Sequence, residues 1–231
     1  MTSDLTLIIP AKNEKESLPI VIDKIKKFDH RITVSLKKDD KETINSIKNI
    51  SNIKIFFQSG KGYGNSLNEA INSCKTKYFC IFNADGSFDP NDLIKMYNLI
   101  ENNDFVFTTR YKYPGGSEDD TFITYIGNQI FSKLGNLFFS LSISDILYTY
   151  LMGNTESFKK LNVESNDFRF CVELPIKMKI SKMKYLCIPS YEKKRIAGKK
   201  KVNAFKDGFL IFLEMIRLFI IFKLFRKKII S

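Results

Sequence analysis

The chain lacks most of what would mark a metal-stapled, secreted or membrane-spanning protein. Its four cysteines, Cys74, Cys80, Cys171 and Cys187, form no C-x-x-C pair, and the single histidine, His30, lies near none of them. Neither a zinc site nor a disulfide framework is expected, and the thiols should be buried and reduced. No basic segment precedes the first apolar run, so no signal peptide is expected. No stretch reaches the roughly 18 uncharged apolar residues of a bilayer span, and the expected location is the cytoplasm. Internal repeats and low-complexity linkers are absent. Acidic residues are scarce at one end only: residues 175–231 hold 16 of the 37 Lys+Arg but 3 of the 25 Asp+Glu. That segment carries +13 against −1 for residues 1–174, so the +12 of the 231-residue chain has a local origin.

What is present is a core. Apolar residues make up 44% of the chain and include 21 Phe, which excludes general disorder. Leu5 to Pro10 is a short apolar run closed by proline, the pattern of a buried strand. Leu18, Val21, Ile22 and Ile25 then follow helical spacing. Strands are predicted at 32–36, 54–57, 78–82 and 105–108, and helices at 39–50, 65–74 and 90–101. This alternation predicts an α/β fold with a mostly parallel, right-handed sheet over the first hundred residues. Beyond Tyr111 the pattern changes to a loop at Pro114–Ser117 and a Phe- and Leu-rich helix over 121–143. Helical and irregular pieces follow, then a Lys-rich segment (193–201) and an amphipathic helix from about 202 to 228. The expected organisation is one domain over 1–201, with a nucleotide-binding half (1–110) and an acceptor half (111–201), followed by a C-terminal helix (202–231).

Ligands of open parallel sheets bind at the carboxyl ends of the strands. There the sequence places Pro10, Ala11, Lys12, Asn13 and Glu14, then Asp39 and Asp40, then Asn83, Ala84, Asp85, Gly86 and Ser87. An Asp beside Gly at a strand end can hold Mg²⁺ or Mn²⁺ against a diphosphate, because these hard cations share oxygen ligands with phosphates. Taken alone, Asp85-Gly86 reads first as a β-turn; three clusters on one sheet edge shift the balance toward a nucleotide site. Gly60-Lys61-Gly62-Tyr63-Gly64 precedes a helix, where backbone N–H groups can meet phosphate, but it is not a P-loop and a tight strand-to-helix turn explains it equally well.

Three blocks, 6–14, 60–67 and 82–90, resemble the signature segments of family 2 glycosyltransferases. The branch most similar contains polyprenyl- and dolichyl-phosphate sugar synthases and bacterial surface-polysaccharide transferases. Shorter blocks agree in order at Thr109-Arg110-Tyr111, Gly127-Asn128, Ile143-Ser144-Asp145, Glu173-Leu174-Pro175 and 195–202, so the resemblance covers about residues 5–208. It implies a GT-A fold and a metal-dependent, inverting transfer from a nucleoside-diphosphate sugar. By position, Pro10, Ala11, Asn13 and Glu14 would line the base and ribose pocket, with Asp40 recognising the base and Gly60, Lys61, Asn83 and Ala84 nearby. Asp85 matches the metal-binding second acid of the family's Asp-x-Asp, with Ser87 a further metal contact and Mg²⁺ or Mn²⁺ the cofactor. Asn83 stands where the first acid is usual, which leaves the metal one carboxylate poorer. Arg110 and Arg195 resemble phosphate-binding arginines. Asp145 and Glu173 remain as general-base candidates for an alcohol acceptor, whereas a phosphate acceptor needs no base.

The implied acceptor is a polyprenyl phosphate or a lipid-linked saccharide of a cell-surface polysaccharide. The terminal helix, bulky on most sides and closed by Arg226, Lys227 and Lys228, suits the headgroup zone of an anionic leaflet. The expectation is a protein peripheral on the inner face of the membrane. Packing of that helix on the domain, or on a second subunit in a homodimer, is the alternative. Residues 130–147 offer a second interfacial patch. Nucleic acid is not expected as a partner, because Lys clusters beside a Phe/Ile helix and not on an aromatic sheet. Three other readings stay open: a sugar-phosphate nucleotidyltransferase, a non-catalytic basic membrane-binding protein, and a sugar-nucleotide binder without turnover.

Overall fold

The computed structural model describes residues 4–225. The basic end Arg226–Lys228, assigned above to headgroup contact, lies outside the described residues. The first half runs β1 (Leu5–Pro10), α1 (Leu18–Lys26), β2 (Arg31–Leu36), α2 (Lys41–Ile47), β3 (Ile53–Phe57), α3 (Tyr63–Asn72), β4 (Tyr78–Ile81), α4 (Asp92–Ile100) and β5 (Phe105–Thr109). The second half runs β6 (Gly116–Ser117), α5 (Phe122–Phe139), β7 (Leu151–Asn154), α6 (Thr155–Lys160), α7 (Phe170–Ile180), β8 (Tyr185–Pro189), β9 (Tyr191–Glu192) and α8 (Ala204–Phe225). Seven strands form one sheet in the order β3-β2-β1-β4-β7-β5-β8, and β6 pairs with β9 apart from it.

Period-2 alternation on two buried faces makes the sheet. Leu5, Leu7 and Ile9 of β1 point into one core with Val21, Ile22 and Leu93, while Ile8 points into the other with Leu67, Ile71 and Leu174. The strands β3, β2, β1 and β4 are parallel, so the loops after β1, β2 and β4 share one edge. The sequence reading missed β7, an antiparallel strand between β4 and β5. Four residues containing Gly and Asn carry too little alternation to announce a strand. Only Gly fits the middle of β7, because a Cβ at Gly153 would lie 2.7 Å from the Phe79 ring and 2.8 Å from Phe105.

The terminal helix α8 belongs to the domain along one stripe. Ile211, Met215 and Leu218 are buried in the second core, between α5 and α7. At about 1.5–3 kcal/mol per fully buried aliphatic side chain, that stripe holds the helix on the body. Among the described residues, no helix is long and apolar enough to cross a membrane.

Overpacking at Gly153 supplies the test of this architecture. Gly153→Val should destabilise the protein by about 1–3 kcal/mol, read as a lower urea midpoint with an unchanged slope.

Candidate active site

Strand-end loops build the site, and buried groups fix each of them. After β1, Asn13 adopts a left-handed φ of 54° and its N–H donates to Asp40 Oδ2 at 2.7 Å. Asp40 also caps α2, accepting from the Thr43 N–H at 3.3 Å. Its carboxylate thus ties the β1 loop to α2, at the margin where the sequence reading put base recognition. Pro10 and Ala11 line the same loop, with the Ala11 N–H bonded to the Ser35 carbonyl at 2.9 Å. Glu14 is 8% exposed, accepts from Ser17 Oγ at 2.8 Å and lies 3.4 Å from Lys201 Nζ.

The loop after β4 is anchored by an aromatic stack. Phe88 is buried and lies 4.4 Å from the Tyr150 ring, and the Tyr150 hydroxyl donates to the Asp89 carbonyl at 2.7 Å. Upstream of that anchor, Asp85 Oδ1 accepts from the Ser87 N–H at 3.0 Å and from Ser87 Oγ at 2.8 Å. Its other oxygen faces Arg195 Nη1 at 3.7 Å. Ser87 is 1% exposed with its hydroxyl spent on Asp85, so it orients that carboxylate and is not itself a cleft-facing metal contact. Ala84 is likewise in the core, leaving only its backbone to the site, whereas Asn83 is half-buried.

A basic strap crosses these strand ends. The Lys193 N–H bonds the Ser87 carbonyl and the Ile196 N–H bonds the Asp85 carbonyl, each at 2.8 Å. Ile196 seats so closely on Gly86, whose φ is +81°, that a Cβ there would meet Ile196 Cδ1 at 2.4 Å. Arg195 then sits between Asp85 and Asp119, with Nη2 2.7 Å and Nε 3.2 Å from the Asp119 carboxylate. Lys200 also reaches Asp119, at 3.5 Å. Burial alone raises the Asp119 carboxyl, but Arg195 and Lys200 outweigh it and hold the acid below its ordinary range. Sequence reasoning set Lys199–Lys201 beside Arg195 near the expected phosphate site but did not single out Asp119. Lys200 and Lys201 lay inside a matching block; Asp119 carried no signal, because its role depends on a strap some 80 positions away.

Arg110 does not face an open phosphate site. Its Nε and Nη2 donate to Asp145 at 2.8 and 2.9 Å, its backbone N–H to the same carboxylate at 3.0 Å, and its Nη1 to Glu192 at 2.9 Å. The guanidinium lies 4.5 Å over the Tyr148 ring. Burial disfavours its charge, yet the hydrogen bonds and charges of Asp145 and Glu192 hold it firmly protonated. This corrects the expectation that Arg110 meets phosphates. It also corrects the expectation of Asp145 as a general base: Asp145 is 1% exposed, and Arg110 and the Asn128 amide occupy its oxygens.

Glu173 is corrected on the same ground. Fully buried, it accepts from the Glu164 and Ser165 N–H groups at 2.9 and 2.7 Å and pairs with Lys177 at 2.7 Å. It braces the 164–166 loop, whose carbonyls press on the helix start at Gly62 and Gly64. The Gly60 loop, with the exposed Lys61, is also no open phosphate cradle. Glu69 accepts from the Ser59 N–H at 2.7 Å and the Gly60 N–H at 3.3 Å, so an internal carboxylate already satisfies those amides.

The donor set fits a hard divalent cation only in part. Among the described residues no group of three His, Cys, Asp or Glu could enclose a metal ion. Asp85 supplies one carboxylate beside Asn83, and Mg²⁺ characteristically binds through one or two carboxylates, with waters and substrate phosphates completing the shell.

An open α/β sheet carries an acid-glycine loop after β4, an Asp40-tied loop after β1 and a basic strap above them, an arrangement of the GT-A kind. The family model "Glycosyl transferase family 2" matches residues 6–161, and the chain belongs to that family. Its enzyme class is accordingly glycosyltransferase. Among solved structures, glucosyl-3-phosphoglycerate synthase from Mycobacterium tuberculosis, in complex with Mn²⁺, UDP and glucosyl-3-phosphoglycerate, superposes with a TM-score of 0.73 at 12% identity, covering 93% of this chain and 79% of that one. The same enzyme with Mg²⁺ and UDP gives 0.67 at 12% identity, covering 93% and 78%. Mannosyl-3-phosphoglycerate synthase from Rubrobacter xylanophilus gives 0.68 at 14% identity, covering 97% and 74%. No curated protein sequence matches the chain significantly.

The buried ions generate two predictions. Arg110→Met leaves Asp145 buried and unpaired, and should cost about 3–5 kcal/mol in chemical unfolding, with much of the loss recovered in Arg110→Met/Asp145→Leu. Glu173 is held below its ordinary value of 4.5: burial opposes this, and Lys177 with the Ser165 and Glu164 N–H groups overcomes it. The stabilisation Glu173 adds is therefore complete above pH 4.5 and is lost as pH falls through the lower folded value. Glu173→Gln should remove that part of the acid dependence, seen as a flatter stability–pH curve below pH 4.5.

Proposed function

We propose that the protein is an inverting, metal-dependent transferase that moves a sugar from a nucleoside-diphosphate sugar to a polyprenyl phosphate in cell-surface polysaccharide synthesis. It would work peripherally on the inner face of the membrane. The observation that carries the donor side is the Asp85–Arg195 pair at 3.7 Å, an acid and a guanidinium side by side at the carboxyl ends of parallel strands. Glu14 and Lys201 repeat the pairing at 3.4 Å on the nucleotide side.

Asp85, with Asn83 beside it, would hold Mg²⁺ or Mn²⁺, which supplies charge neutralisation for the departing diphosphate. Ser87 keeps the Asp85 carboxylate in one orientation. Arg195, Lys200 and Lys201 form a cationic rim suited to donor and acceptor phosphates, with Arg195 Nη1, the nitrogen not bonded to Asp119, turned toward Asp85. Pro10, Ala11, Asn13, Glu14 and Asp40 provide the rim of the base and ribose pocket.

The commitments of Asp145 and Glu173 bear on the acceptor. Both nominated bases are buried and fully hydrogen-bonded, so neither can take a proton from an attacking alcohol. A phosphate acceptor is already an anion. Its oxygen would attack the anomeric carbon as the bond to the diphosphate breaks, and the bonding pair leaves with the nucleoside diphosphate; no proton moves. This favours a polyprenyl phosphate over the hydroxyl of a lipid-linked saccharide.

Thermal shift with UDP-, GDP- and dTDP-sugars in Mn²⁺ or Mg²⁺ checks the donor. The matching donor at about a hundred times its Kd should add about 2.7 kcal/mol, and Asp85→Ala should abolish the metal-dependent part. Radiolabelled transfer should then proceed to a short polyprenyl phosphate and not to the corresponding polyprenol; equal transfer to both overturns the phosphate reading.

A further inference from the structure

Helix α5 turns polar and small residues inward beside Phe139 and large apolar ones outward. Its buried residues include Asn128, Ser132 and Gly135, while Ile123, Ile126, Ile130 and Leu137 are exposed. At about 100° per residue these two sets fall on opposite sides of the helix. The register cannot be exchanged: Asn128 donates to Asp145 and Ser132 Oγ accepts from the Ile146 N–H at 3.1 Å, so the polar side must face inward. The apolar side is left outward, with Phe122 77% and Leu137 75% exposed.

Helix α8 lies beside α5 and continues the surface. Phe131 rests on Gly208, Met215 approaches Gly135, and Phe138 and Phe139 contact Phe219 at ring distances of 4.9 and 6.0 Å. Opposite its buried stripe, α8 exposes a second one of Phe205, Phe209, Phe212, Ile216 and Ile220, with Phe205 82% exposed. Two adjoining helices thus present large side chains to the outside, a patch that soluble monomers rarely leave uncovered.

Charge selects the occupant. No Asp or Glu occurs within Phe122–Phe139, and Lys133 is exposed on the apolar stripe. On α8, Asp207 is engaged at the helix start by the Asn203 N–H at 2.6 Å, and Glu214 is buried against Arg217 at 2.6 Å. Lys193, Lys194, Lys199, Lys200 and Lys201 lie on the strap that leads into α8, and Lys200 touches Asp119 just before α5. A second copy would bring the same positive charge to the contact. An anionic lipid leaflet brings the complement, and bulky apolar groups with Lys133 among them and a Lys-rich strap at one end suit the headgroup boundary.

We infer that α5 and α8 together form a two-helix docking face for an anionic membrane, with α5 an equal partner of the terminal helix. The inference rests on the lipid-acceptor reading for its purpose and deepens it. The strap that carries Arg195 leads directly into α8, and Asp119 and Asp120 directly precede α5, so the face adjoins the proposed phosphate rim.

Flotation of the full chain with phosphatidylcholine vesicles, with and without roughly 30 mol % phosphatidylglycerol, tests it. The wild type should float with the anionic vesicles, and Ile130→Glu/Leu137→Glu should lower the bound fraction about tenfold. Ile130→Gln/Leu137→Gln, a milder pair, should lower it less while keeping the melting temperature. Flotation of the α5 variants equal to wild type, or equal binding to neutral vesicles, overturns the inference. So does a concentration-dependent dimer in sedimentation that the α5 substitutions dissociate, since a second copy then covers the face. Stabilisation by UDP-glucose with Mn²⁺, measured without lipid, reports the transferase reading separately; if it persists while flotation fails, only the docking face is lost.

Discussion

The structure turns on a buried arginine. Arg110 leaves the end of β5 and enters a space where Asp145, Glu192, Asn128 and Tyr148 close around it, with its side chain 10% exposed and that of Asp145 at 0%. Taking such ions out of water costs several kcal/mol each, and the cost is offset only when nearly every donor and lone pair is filled. Filling them draws four segments together: the end of β5, the inner side of α5, the 144–148 turn and β9. The β9 contact matters most for chemistry, because the strap carrying Arg195 continues from it. The α5 contact matters most for the surface, because a helix that must turn Asn128 inward must turn its isoleucines outward.

The excess positive charge is explained by the same geometry. Of the basic residues in the C-terminal quarter, Arg195, Lys200 and Lys201 lie against Asp85, Asp119 and Glu14. Glu14 and Asp85 share the carboxyl edge of the sheet because β1 and β4 are parallel neighbours, and Asp119, just after β6, joins them through Arg195 of the strap. A site lined by alternating acids and bases suits a ligand that brings both anionic oxygens and a cation, as a metal-bound diphosphate does.

Legibility followed the range of the interactions. The strands β1 to β5 and the helices between them were readable because each is defined by its own alternation or by its 3.6-residue period, and the turn at Asp85-Gly86 by its own chemistry. The strand β7 was not, since its four residues become a strand only by lying between β4 and β5. The sites divide similarly. Asp85, Glu14 and Asn13 were grouped correctly in space because strand ends in a parallel sheet share an edge. Arg110, Asp145 and Glu173 were located but misread, because an ion's role is set by what fills its hydrogen-bonding positions. Glu69, which closes the Gly60 loop, gave no sign in the sequence that it stands where a phosphate was expected.

By itself the sequence determined a parallel α/β sheet, the family to which its blocks correspond, and a basic C-terminal quarter with bulky apolar residues. These follow from periodicity and local motif chemistry, which act over a few residues. Only the tertiary structure decided which acids remain open to ligand and which are consumed by buried cations, and which side of α5 faces out. Those outcomes depend on desolvation, and burial is a property of the packed whole that no segment carries alone.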